Sequence, residues 1–136
     1  LKRLDLAHRI AEFIEPSICL TAAGQGALGL ECRVNDDDTR ELLSVLDHEA
    51  TARCVRAERA VSQALEATCQ LPIGVFAQEN GDRFEIAAFV SALDGSRQLR
   101  REASGCVTES DSVAEGLVAE LLQEGAADIV STASTG

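Results

Sequence analysis

Methionine, tryptophan and tyrosine are absent from the 136 residues, and phenylalanine occurs only four times. A core here must therefore be built from Leu, Ile, Val and Ala. The absent methionine and the opening Leu1-Lys2-Arg3 argue against a complete translation product, so the chain is expected to be processed, truncated or partly observed. Lys2 is the only lysine and no Lys/Arg block occurs; the formal net charge is −11. Such a chain repels nucleic acid and anionic membranes, so neither is an expected partner. No apolar run approaches a membrane span and no signal-peptide pattern opens the chain. The five cysteines, at 19, 32, 54, 69 and 106, form no C-x-x-C pair, and only two histidines are available to help them. That pattern argues against a zinc site, and no other metal site is expected. Free thiols fit a reducing compartment, hence a cytoplasmic location. An apolar fraction of 46% argues against disorder, and the length suits one ordinary domain.

Periodicity divides the chain in two. Residues 5–15 read as a helix with Leu6, Ile10, Phe13 and Ile14 on one face, stopped by Pro16. Ser17–Thr21 and Ala27–Cys32 read as short strands around the Gly-rich loop Ala22-Ala23-Gly24-Gln25-Gly26. Asp38 with Glu41 resembles a capping box opening a helix to about Leu46. Asp47 then caps a long helix from about His48 to Glu66. Its narrow apolar stripe is Ala50, Cys54, Ala57, Val61 and Leu65, with Arg53, Arg56, Glu58 and Arg59 on other faces. Ile73–Gln78 is a strand, Asn80-Gly81 a hairpin turn, and Phe84, Ile86, Ala88 and Val90 alternate on the next strand. After the turn Asp94-Gly95, Arg97–Ala103 is the third strand. Ser112 with Glu115 caps a helix carrying Val113, Leu117, Leu121 and Leu122, with Gly125 at C′; Ile129 and Val130 pack back on the sheet. The expected fold is α+β: residues 47–136 form a three-stranded antiparallel sheet with helices on one face. Residues 1–46 precede it as the tail of an α/β domain: helix, crossover strands, Gly-rich loop, helix.

Cys69 is the most informative single residue. It lies in a loop between the long helix and the sheet, where rigid elements hold functional groups. Cys19 and Cys32 fall in strand patterns, Cys54 on the apolar stripe and Cys106 in a second loop, Ser104-Gly105-Cys106. A thiol is a soft nucleophile once ionised, yet no obvious base adjoins Cys69 in sequence. His8 and His48 lack metal-like partners and suit solvated or capping roles. The run Asp36-Asp37-Asp38 lacks the spacing of a calcium loop and suits a loop and helix cap.

Three segments carry a family resemblance. Glu66-Ala67-Thr68-Cys69-Gln70-Leu71-Pro72-Ile73-Gly74 resembles the cofactor-attachment segment of hydroxymethylbilane synthases (porphobilinogen deaminases), with Ala67 and Thr68 in place of two glycines. Ala23-Gly24-Gln25-Gly26-Ala27-Leu28-Gly29-Leu30-Glu31-Cys32-Arg33 and Ala57-Glu58-Arg59-Ala60 resemble two further signatures. The resemblance implies an enzyme that joins four porphobilinogen units head to tail, losing ammonia each time, to give hydroxymethylbilane for tetrapyrrole synthesis. It implies a dipyrromethane cofactor held by a thioether on Cys69, and an aspartate acid–base group and most carboxylate-binding arginines in two α/β domains outside this chain. By the same resemblance Arg3 matches a carboxylate-binding arginine, and Gln25 and Gly26 match a loop near that cofactor. No catalytic residue is expected within this chain, which alone should be inactive. Its partners would be porphobilinogen and the growing pyrrole chain in a monomeric complete enzyme. By itself, the apolar segment 1–45 is expected to be ordered by a second copy, the competing outcome being that it folds onto its own sheet. The rival to the enzyme is a non-catalytic α+β binding or dimerisation module.

Overall fold

The computed structural model describes residues 1–65 and 72–133, and its longer regular elements begin only at Asp37. Helix α1 spans Asp37–Ser44 and α2 spans Glu49–Ala64. Strands β1 (Ile73–Asn80), β2 (Arg83–Ser91) and β3 (Gln98–Cys106) follow, then α3 (Ser110–Gln123) and α4 (Ala126–Ala133). The sheet is antiparallel in the order β1-β2-β3, with Ala77 opposite Ile86 and Ile86 opposite Ala103. This is the expected α+β architecture.

Alternation explains which sheet face is covered. Phe84, Ile86, Ala88 and Val90 on β2, with Val75 and Ala77 on β1, are all buried. They meet Val61 and Leu65 from α2, Leu117 and Leu121 from α3, and Ile129 and Val130 from α4. Each of the larger side chains contributes roughly 1.5–3 kcal/mol by leaving water. Gly81, at φ +61°, turns β1 into β2 as the Asn-Gly pair predicts. Gly125 follows α3 at φ +90°. At the sheet's edge Arg53 grips Glu79 through Nε and Nη2, at 2.7 and 3.2 Å, and also Glu49. Hydrogen bonding from Arg53 holds the Glu79 carboxyl below its ordinary range.

Several expected boundaries are corrected. The first helix begins on Asp36, whose Oδ1 accepts from the Thr39 amide, rather than on Asp38. His48, not Asp47, caps α2: its Nδ1 accepts from the Thr51 amide. Helix α3 starts at Ser110 with no side-chain cap, because a 3-10 turn at Val107–Glu109 feeds straight into it. Cys106 is the last residue of β3, opposite Arg83, and not a loop residue. Leu122 is exposed, and Ala114 takes its place in the buried stripe.

The larger correction concerns the first 36 residues. No helix fills 5–15: two 3-10 turns, Lys2–Leu4 and Ala7–Arg9, are separated by Asp5 in the left-handed region at φ +55°. Neither Ser17–Thr21 nor Ala27–Cys32 is a strand. The physical reason is a lack of partners. Phe13 and Ile14 stay exposed, and a short helix without a packed face is marginal in water. Among the described residues, the only exposed large apolar side chains beyond residue 46 are Leu93 and Leu122.

Burial separates the thiols. Cys54 is buried, whereas Cys19, Cys32 and Cys106 are exposed. Burial, then the charges of Glu79 and Glu58, push the Cys54 thiol up to about 11 from an ordinary 9.0. At pH 8 that alone lowers its thiolate fraction about a hundredfold. Native iodoacetamide labelling at pH 8, read by peptide mass, should therefore modify the three exposed cysteines first and Cys54 only after unfolding. Equal rates at all four would contradict this burial.

Candidate functional site

The Gly-rich segment that sequence patterning makes a loop is a turn seated on α2. Gln25 closes it locally: its Oε1 accepts from the Ala22 amide at 3.2 Å. Gly24 and Gly26 both sit at positive φ, +73° and +90°. The turn is held from below by α2. A Cβ added at Gly24 would lie 3.6 Å from Val55 Cγ1 and 3.9 Å from Arg59 Nε, and the Gly24 amide donates to Glu58 Oε2 at 2.7 Å. The other oxygen, Oε1, accepts from the amide of Ala77 on β1 at 2.8 Å. Glu58 is 6% exposed. Its expected place on an outer face of the helix is thus wrong. It stands four residues after Cys54 and three before Val61, so helical spacing itself puts it on the buried stripe.

The chain just before the turn is tied to the sheet as well. Thr21 O accepts from the Val75 amide at 2.8 Å, a single bridge on the free edge of β1. Leu20 lies across Gly74: a Cβ there would meet Leu20 Cβ at 2.8 Å and Leu20 O at 3.2 Å. The glycine that ends Pro72-Ile73-Gly74 is therefore needed for close approach of a second chain segment. Gly116, on α3, has open space around it. Opposite signs follow for the same substitution. Gly74→Ala should destabilise by about 1–3 kcal/mol through overpacking, while Gly116→Ala should stabilise by roughly 0.5–1 kcal/mol as a helix-interior glycine. Urea midpoints at constant slope check both; a Gly74→Ala midpoint at or above wild type would refute the close approach.

Cys69 lies outside the described residues. Its flanks are fixed: Leu65 at the end of α2 is buried, and the Pro72 carbonyl accepts from the Ser91 amide at 3.0 Å. Pro72 also borders a hollow lined by Cys19, Leu20, Gly74, Phe89 and Arg100. Gln25 and Gly26 line a second hollow with His48, Thr51, Cys54 and Gln78. Arg3 sits exposed in the first 3-10 turn. Among the described residues no ion pair engages it and no hydrogen bond joins it to the Gln25–Gly26 turn. The structure therefore brings Gln25, Gly26, Glu58 and Arg59 together, with no bond from Arg3 to them among the described residues. Glu58 and Arg59 were not singled out from the sequence as site residues, although they stand within the Ala57-Glu58-Arg59-Ala60 segment. Among the described residues no cluster of His, Cys, Asp and Glu suits a metal ion, and no helix is long and apolar enough to cross a membrane.

The Gly24–Glu58 bond ties two of the resembling segments, 23–33 and 57–60, to each other. Residues 52–123 match the family model described as "Porphobilinogen deaminase, C-terminal domain". Residues 1–41, which include Arg3, Gln25 and Gly26, match the model described as "Porphobilinogen deaminase, dipyromethane cofactor binding domain". The chain is 42% identical over 131 residues to the porphobilinogen deaminase of Methylobacillus flagellatus. That alignment covers 96% of this chain and 42% of the relative, so the chain spans less than half of that protein's length. With one family model covering more than half of the residues and a second covering most of the remainder, the chain belongs to the porphobilinogen deaminase family.

Proposed function

We propose that this chain is the cofactor-bearing C-terminal part of a cytoplasmic hydroxymethylbilane synthase, which joins four porphobilinogen units with loss of ammonia. The observation that carries the proposal is the match of residues 1–41 and 52–123 to the two family models, with the Cys69-Gln70-Leu71-Pro72-Ile73-Gly74 segment inside the C-terminal-domain match. On this reading residues 47–136 are the C-terminal domain, and 1–46 belong structurally with preceding α/β domains. The exposure of Leu28 (92%) and Leu30 (58%) supports that division, since residues 47–136 do not cover them. Within that segment Pro16, Leu20, Thr21 and the turn at Ala22–Gly26 do touch the α+β unit, at β3, β1 and α2.

The residues present suit a dipyrromethane on Cys69. A thiol forms a thioether that is neutral and stable in water, and needs no metal to persist. The acetate and propionate groups of such a cofactor need cations, and arginine forks match carboxylates. Arg59 beside the turn and Arg3 at the chain's start are exposed arginines that form no ion pair among the described residues. When bound, the cofactor supplies the primer on which the pyrrole chain grows. Cys69 anchors it, and Gln25 and Gly26 line its surroundings.

The test is turnover by the complete enzyme. Incubation with porphobilinogen should consume it with release of one ammonia per unit, and the product should oxidise to a coloured porphyrin. Consumption without ammonia release, or none at all, would overturn the assignment.

A further inference from the structure

Glu58 is the one charged side chain among the buried described residues, and no Lys or Arg pairs with it there. Burying a carboxylate without a cation is unfavourable unless strong hydrogen bonds replace its water. Here two do: the amides of Gly24 and Ala77, at 2.7 and 2.8 Å, one on each oxygen. Those amides are 34 and 19 residues from Glu58 in sequence, and the segments carrying them do not pair as strands at that point. An apolar side chain would fill the space but leave both N–H groups without an acceptor. The Ala77 amide lies on the free edge of β1, one alternation beyond the Val75 amide that Thr21 receives. Glu58 thus continues the edge contact begun by Thr21 and fastens the turn to it.

We propose that Glu58 is a positioning residue: it clamps the Ala22–Gly26 turn to β1, the strand into which the Cys69 segment runs, and so sets the two cofactor-facing segments relative to each other without touching the cofactor. The functional part of this rests on the assignment of the cofactor to Cys69; the clamp itself does not. A purely packing role would predict loss of stability and nothing more. A clamp predicts a local loosening at two named amides and slower loading of the thiol.

The experiment uses the complete enzyme with Glu58→Gln and Glu58→Ala. Amide hydrogen exchange is followed at Gly24 and Ala77, with Ile86 and Ala103 as controls. Loading is followed as the growth of the adduct mass when apo-protein is given porphobilinogen, well below each variant's unfolding temperature. Loss of a bond to a charged acceptor should speed exchange at Gly24 and Ala77 roughly tenfold or more in Glu58→Ala, leaving the controls unchanged. Loading should slow by about as much, and Glu58→Gln, which keeps one acceptor oxygen, should fall between. Unchanged exchange at Gly24, or unchanged loading despite faster exchange, overturns the proposal. If Glu58→Ala does not fold, the wild-type measurement decides: a Gly24 amide that exchanges as fast as a free turn amide refutes the clamp. If wild-type protein never acquires an adduct on Cys69, the cofactor assignment fails while the exchange result still judges the clamp.

Discussion

Cys69→Ser in the complete enzyme should abolish stable cofactor attachment. Near neutral pH an alcohol is a far weaker nucleophile than a thiolate, and no serine ether would form at a useful rate under the same conditions. Denaturing mass spectrometry should show the bare chain mass for this variant alone. Serine at Cys19, Cys32 or Cys106 touches exposed positions and should leave both adduct and stability unchanged. Serine at Cys54 should keep the adduct but lose roughly 1–3 kcal/mol, because it puts a hydroxyl among Ala57, Val61 and the β1 side chains. An adduct that survives Cys69→Ser sinks the assignment.

The 136-residue chain by itself should show no synthase turnover. Joining pyrroles with loss of ammonia requires a placed proton donor and acceptor. Asp36, Glu79, Glu85 and Asp94 are displaced downward, each mainly by a side-chain hydrogen bond, which makes these four poor general acids. Carboxylate recognition is equally thin. Arg33, Arg40, Arg53, Arg83, Arg100 and Arg101 are already committed to Asp or Glu partners. Porphobilinogen consumption by the purified chain should match a heat-killed control. Turnover above that control would place the active site within these residues and contradict the domain assignment.

The α+β unit was largely legible in the sequence because its rules are local. Phe84, Ile86, Ala88 and Val90 alternate and are buried; Asn80-Gly81 turns; Gly125 follows α3. Residues 1–36 misled for the opposite reason. Leu6, Ile10, Phe13 and Ile14 have helical spacing, but a stripe makes a helix only when something covers it, and Phe13 and Ile14 face water. At the site, the turn at Gly24–Gly26 was legible from glycine alone. Glu58 was not recognised because a carboxylate on a helix is ordinarily a solvated one. Its spacing from Cys54 and Val61 did place it on the buried stripe; the pair of backbone amides from distant segments that holds it there is what no window of local sequence displays. The role of Cys69 rested on resemblance, since nothing in its neighbours' chemistry activates it.

The most direct measurement is peptide mapping of the complete enzyme as purified. Trypsin cuts after Arg59 and Arg83, releasing residues 60–83 with Cys69 as their only cysteine; Cys54 leaves in residues 54–56, Cys19 and Cys32 in 10–33, and Cys106 in the peptide that begins at Glu102. The account predicts the mass of two linked pyrrole units on residues 60–83, fragmenting to Cys69, and unmodified thiols on the other three peptides. An unmodified Cys69 in a fully active preparation, or the adduct on any other peptide, would contradict it.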